Sequence, residues 1–138
     1  MASLTLFLDA NVLFSAAVGG PAFELIWELA RRGRIRLVTS AHCRAEAVAN
    51  IERKRPASMS RLEQALAEVS LAPEPAPRLV DAARRLLPEK DAPVLAAALE
   101  AGAEVLVTGD LKHFGGLMER PDLPLRVRSP RAFLLEGP

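Results

Sequence analysis

Three apolar runs punctuate the chain: Leu4-Thr5-Leu6-Phe7-Leu8, Ile35-Arg36-Leu37-Val38-Thr39 and Glu104-Val105-Leu106-Val107-Thr108. Each is as long as a strand, and the first and third are nearly continuous, the pattern of strands covered on both faces. Leu125-Arg126-Val127-Arg128 alternates instead, so it reads as a last strand with one face exposed. Helical spacing fills the intervals. Asn11 to Ala17 forms a short helix broken by Gly19-Gly20-Pro21. A second helix starts at Pro21, carries Ala22, Leu25, Ile26 and Leu29, and ends at Gly33. Ser40 is an N-cap for a helix over Ala41 to Arg53, with Pro56 just beyond, and Ser58 caps another that carries Leu62, Ala65, Leu66 and Val69. Arg78 to Leu87 is amphipathic, with Leu79, Ala82, Ala83, Leu86 and Leu87 facing inward. A helix from Lys90-Asp91-Ala92-Pro93 runs to about Ala101 and stops at Gly102. Leu111 to Leu117 is a brief helical turn, and Ser129-Pro130 opens a terminal helix over Arg131 to Leu135. The stretch Leu71 to Pro77 holds three prolines, which cannot donate to a sheet ladder, so it is an extended connector or a short edge strand.

Strands alternating with helices predict an α/β fold: a mainly parallel central sheet covered by helices on both faces. The 138 residues suit one domain over 1–138 with one core, and a hydrophobic share of 50% excludes a disordered tail. No apolar run approaches a membrane span, and the chain enters its first strand without a basic leader, so we expect no membrane and a cytoplasmic location. The single cysteine, Cys43, excludes an internal disulfide, suits a reducing compartment, and reads as a small packing residue rather than a nucleophile. A net charge of +1 says nothing about nucleic acid, because binding footprints are local patches. With no tyrosine and few aromatics, base stacking is not expected to dominate recognition.

The candidate chemistry lies where the strands end. Ligands of open parallel sheets bind at the carboxyl ends of the strands. Asp9 closes the first strand and Asp110 the third. The helix feeding the third strand runs antiparallel to it, so Asp91 at its start belongs to the same edge. Glu46 is about five residues into the helix after the second strand, roughly 8 Å along, within partial reach of that edge. Taken singly, each acid has an ordinary reading: Asp9 and Asp91 as helix caps, Glu46 as a solvated helix residue, Asp110 as a turn residue. Together, Asp9, Glu46, Asp91 and Asp110 form a cluster that repels itself, by roughly 3 kcal/mol for two carboxylates 5 Å apart at an effective dielectric near 20. A hard divalent cation relieves this, and an all-oxygen set favours Mg²⁺ or Mn²⁺ over zinc. Asn11 is placed to hold Asp9, and Thr108 to hold Asp110 or a water. His113 reads as an exposed histidine after a turn, and Lys112 as a minor phosphate contact.

The segments Leu6-Phe7-Leu8-Asp9-Ala10-Asn11-Val12-Leu13, Glu46, Lys90-Asp91-Ala92-Pro93-Val94-Leu95-Ala96-Ala97-Ala98 and Val107-Thr108-Gly109-Asp110 resemble the PIN domain over nearly the whole chain. The resemblance implies a three-layer α/β/α sandwich and metal-dependent ribonuclease activity on single-stranded RNA. Small stand-alone members resemble VapC-type toxins, which pair with an antitoxin protein and commonly form a homodimer. By that resemblance, Asp9, Glu46, Asp91 and Asp110 match the acidic metal-binding positions, and Asn11 and Thr108 the supporting polar ones. Many members carry a further acid shortly after the last motif, where this chain has Leu111-Lys112-His113-Phe114, which leaves open whether a second metal site is filled.

The leading expectation is therefore a Mg²⁺- or Mn²⁺-dependent endoribonuclease, the toxin of a toxin–antitoxin pair. Its alternatives are a PIN nuclease of RNA processing without an antitoxin and a non-catalytic RNA- or protein-binding module. A phosphatase with Asp9 as nucleophile needs a second aspartate two residues on, where this chain has Asn11. Neither a Gly-rich dinucleotide fingerprint nor a P-loop is present. Candidates for holding RNA are Arg31, Arg32, Arg34 and Arg36, or Arg53, Lys54 and Arg55.

Overall fold

The computed structural model describes residues 3–138. Within them the order is β1 (Leu4–Leu8), α1 (Ala10–Val18), α2 (Pro21–Arg31), β2 (Ile35–Thr39), α3 (Ala41–Lys54), α4 (Met59–Leu66), β3 (Ser70–Leu71), α5 (Pro77–Ala83), α6 (Ala92–Glu100), β4 (Val105–Val107), α7 (Leu111–Phe114), β5 (Arg126–Arg128) and α8 (Pro130–Glu136). The sheet has the order β3-β2-β1-β4-β5. Every pairing in it is parallel. Helices α1 to α4 pack on one another, α8 packs on α2, and α5 packs on α6, the two groups covering opposite faces as right-handed crossovers require. The result is the expected three-layer α/β/α sandwich.

The continuous apolar runs explain the middle layer. Leu6, Phe7 and Leu8 of β1 and all of β4 have no exposed surface. The β3 strand is two exposed residues followed by the proline stretch, so this edge stays too short to recruit another strand. At the other edge β5 buries Val127 and pairs Arg126 and Arg128 with Glu136 of α8.

Element ends follow local rules, with three departures. Gly102 adopts φ +68°, and the bonds Gly102 N–H to Leu99 O and Ala103 N–H to Ala98 O close α6 as a left-handed cap and turn the chain into β4. Ser40 caps α3 through Cys43 N–H at 3.0 Å. Ser58 does not cap α4: it lies in a 3₁₀ turn over Pro56–Ser58, and its side chain bonds no helix N–H. The amphipathic stretch from Arg78 is α-helical only to Ala83 and then tightens into turns, with Arg85 N–H bonded to Ala82 O and Leu86 N–H to Ala83 O; Ala82, expected inside, is exposed. Asp91 holds the N-cap position of α6 but makes no capping bond.

Candidate functional site

The chain leaves β1 toward β2 on one side, while β4 returns on the other. The carboxyl ends of β1 and β4 therefore flank the point where strand order reverses, the usual place for a ligand in an open α/β sheet. Leu8 is paired with Val107, so Asp9 and Thr108 emerge side by side, tied by Asp9 N–H to Val107 O at 3.1 Å.

Asp9 is 6% exposed and fully engaged. Its Oδ1 accepts from Ala10 N–H at 2.7 Å, so the ordinary cap reading holds as well. Its Oδ2 accepts from the Thr108 hydroxyl at 2.8 Å and from Asn11 Nδ2 at 3.1 Å. Burial pushes its pKa up, the Thr108 and Ala10 bonds oppose this, and the nearby Glu46 charge adds to the rise. Thr108 also accepts from Asp110 N–H at 3.1 Å, so one hydroxyl ties both strand-end aspartates. Asn11 in turn accepts from Gly109 N–H at 2.7 Å. A Cβ on Gly109 would meet the Asn11 oxygen at 3.3 Å, so only glycine leaves Asn11 unpushed there.

Asp110 caps α7 through His113 N–H at 3.1 Å, and its Oδ2 lies 2.7 Å from His113 Nδ1. Burial raises its pKa, but the His113 bonds and the Lys90 charge prevail and hold it below the ordinary carboxylate range. Asp91 has a side chain 13% exposed, and its Oδ2 is buried without a hydrogen-bond partner among the described residues. His113 Nδ1 lies 3.5 Å from that oxygen but is directed at Asp110. Ligand atoms of Asp91, Asp110 and His113 lie within 4.8 Å of one another. His113, read from sequence as merely exposed, has a side chain only 24% exposed. Its signal was the three-residue step from Asp110, which one helical turn brings onto the same face.

Asp9, Asn11, Asp91 and Asp110 line a cleft of about 480 Å³ that also receives His42, Glu46, Asn50 and Lys54, while Thr108 and His113 stand behind its lining. The four recur every fourth residue along α3 and form one stripe facing Asp9, a periodicity legible in the sequence but not exploited there. Lys90 lines the cleft too, and Lys54 lies 5.9 Å from the centre of the Phe14 ring. Sequence reasoning missed Lys90, His42 and Asn50. All four expected acids therefore reach one cleft, Asp91 and Asp110 closely, with Asn11 beside them and Thr108 bridging beneath.

The proposed RNA-holding arginines fare differently. Arg31 and Arg32 pair with Glu28 and Glu68, and with Arg34 and Arg36 they lie at the end of α2 and the start of β2, the opposite edge of the sheet. Arg53 bonds Asn50, and Arg55 is the residue after α3; of that trio only Lys54 lines the cleft. Lys112 is exposed and outside it. Cys43 is fully buried, its thiol pushed up to about 12 chiefly by burial, so it stays neutral and inert.

A family model for the PIN domain matches residues 5–112, most of the chain. The chain belongs to the PIN-domain family. The match takes in Asp9, Glu46, Asp91 and Asp110 and ends just before His113. Among solved structures, the PIN fold here is similar to VapBC2 from Rickettsia felis bound to a DNA fragment from their promoter, with a TM-score of 0.71 at 19% identity, covering 91% of this chain and 98% of that one. It is also similar to VapBC-1 from nontypeable Haemophilus influenzae, with a TM-score of 0.62 at 18% identity, covering 93% and 99%. At such identities the likeness is one of fold. No curated protein matches the sequence. Among the described residues, no single helix is long and apolar enough to cross a membrane.

The donor set fits a hard divalent cation. Four carboxylates against two ammonium groups leave the cleft lining net negative, and no arginine is among the lining residues. The buried, unpartnered oxygen of Asp91 is the atom such an ion would satisfy.

Proposed function

We propose that this chain is a divalent-metal-dependent endoribonuclease and the toxin half of a toxin–antitoxin pair. The observation that carries the reading is the unpartnered Asp91 Oδ2 in a cleft lined by Asp9, Glu46 and Asp110. A buried carboxylate oxygen without a donor is costly in a protein that holds nothing there. The four acids would hold Mg²⁺ or Mn²⁺, and Asn11 and Thr108 keep Asp9 in one rotamer. When bound, the ion polarises a phosphoryl oxygen and lowers the pKa of the attacking water.

The chain's own groups account for the rest. Net negative charge at the cleft repels a bare phosphodiester, so RNA approach depends on neutralisation. Lys54 at the end of α3 and Lys90 before α6 both line the cleft and are exposed, so they can hold phosphates flanking the scissile one. The antitoxin partner is supported by the VapBC likeness across nearly the full length of both chains. Val18 and Leu25 on the first two helices are exposed apolar residues suited to a homodimer contact, so gel filtration should give twice the monomer mass.

Cleavage of a single-stranded RNA panel tests the activity. Added Mn²⁺ or Mg²⁺ should support it, and EDTA should stop it. Asp9→Asn should lower the rate by about a hundredfold or more, the scale of losing one preorganised electrostatic group. Undiminished cleavage in EDTA, or by Asp9→Asn, would reject the reading.

A further inference from the structure

We propose that His113 is itself a metal ligand, joining Asp91 and Asp110 among the acids named above, so that the centre is a mixed nitrogen–oxygen site rather than an all-carboxylate one. This rests on the metal-dependent reading above and specifies what that site binds.

The argument is geometric. Adjacent ligands around an octahedral ion with bonds near 2.1 Å lie about 3.0 Å apart. His113 Nδ1 stands 2.7 Å from Asp110 Oδ2 and 3.5 Å from Asp91 Oδ2, on either side of that spacing. All three ligand atoms already fall within 4.8 Å of one another. Two are fixed from below: Asp110 by its capping bond and by Thr108, and His113 by the helical turn that the bond closes. The third, Asp91 Oδ2, has no other partner. Binding needs one rearrangement. The ring must take the tautomer with its proton on Nε2, which would leave the Nδ1 lone pair free for the cation.

The consequence is selectivity. Imidazole nitrogen favours transition ions, whereas carboxylate and water suffice for Mg²⁺. This centre should therefore prefer Mn²⁺ to Mg²⁺ more strongly than four carboxylates would.

Pulsed electron paramagnetic resonance of the Mn²⁺-loaded full chain tests this directly. We expect echo modulation from a directly bound nitrogen, changed on ¹⁵N-histidine labelling, lost in His113→Ala and kept in His42→Ala, which removes the chain's other histidine, the one that lines the cleft. In parallel titrations, His113→Ala should weaken Mn²⁺ binding about tenfold or more and Mg²⁺ much less, while His113→Asp should keep Mg²⁺ binding and lack the nitrogen signal. Mn²⁺ bound with no nitrogen modulation, or modulation surviving His113→Ala, would overturn the ligand assignment and leave the carboxylate centre standing. Absence of any Mn²⁺ binding would overturn both.

Discussion

Asp9 meets two opposed demands. Its burial favours the neutral acid, and the role proposed for it in a cation site requires the anion. Because burial raises its native pKa above 3.8, the native state binds more protons than the unfolded chain just above that value. Stability of the metal-free protein therefore falls as pH rises through the window from 3.8 to the raised value, and the cost persists at neutral pH. Asp9→Asn removes that charge. In EDTA at pH 7, its urea midpoint should be no lower than that of the wild type, while saturating Mn²⁺ should raise the wild-type midpoint and leave that of the variant nearly unmoved. At a hundredfold excess over the dissociation constant the expected gap is about 2.7 kcal/mol. Thr108 makes the complementary case. It is fully buried, and its hydroxyl serves both Asp9 and Asp110. Thr108→Val should cost about 1–3 kcal/mol in urea unfolding, and Thr108→Ser most of a unit less. Equal stability of the valine variant would show that the bridge contributes nothing. Asp9 was legible because a carboxylate after an apolar run demands a partner. The Thr108 bridge was half legible: its tie to Asp110 was expected, its bond to Asp9 was not, because that depends on β1 and β4 being neighbours in register.

At the scale of elements, α3 is the part of the site the sequence understated. Glu46 was found as a lone acid, yet the stripe His42, Glu46, Asn50 and Lys54 gives the helix an entire polar face toward the cleft. No amphipathic pattern was read along it, although Cys43, Ala47 and Ile51 are buried on its other side. If Lys54 at the end of this stripe contacts a phosphate, Lys54→Ala should weaken RNA binding for all sequences alike. It should also reduce the slope of log affinity against log salt by about 0.7. An unchanged slope would place Lys54 off the RNA path. The arginines before β2 were poor candidates on grounds the sequence already contained. They lie before or at the start of β2, whereas Asp9 and Asp110 follow β1 and β4, so the two sets occupy opposite ends of the sheet. The start of α4 after Ser58 was placed correctly, but the 3₁₀ turn over Pro56–Ser58 takes the serine out of capping geometry, and α5 stops at Ala83, four residues short of the expected end.

For the whole molecule, topology does the assembling. The order β3-β2-β1-β4-β5 puts β1 at the centre, with the reversal of direction between β1 and β4. Residues nearly a hundred positions apart, Asp9 and Thr108, become neighbours for that reason alone. The fold class was readable because hydrophobic runs, helical periodicity and glycine stops agreed along most of the chain. Strand order was not readable, since nothing local says which strand pairs with which. Nor was the missing partner of Asp91 Oδ2, which follows from a capping bond that α6 does not make. That oxygen is where the account is most exposed. Anomalous scattering from a crystal soaked in Mn²⁺ examines it directly. A peak about 2.1 Å from oxygens of Asp91 and Asp110 is the expected result. Density showing Asp91 Oδ2 satisfied by Lys90 or His113, with no manganese in the cleft at saturating concentration, would contradict the account.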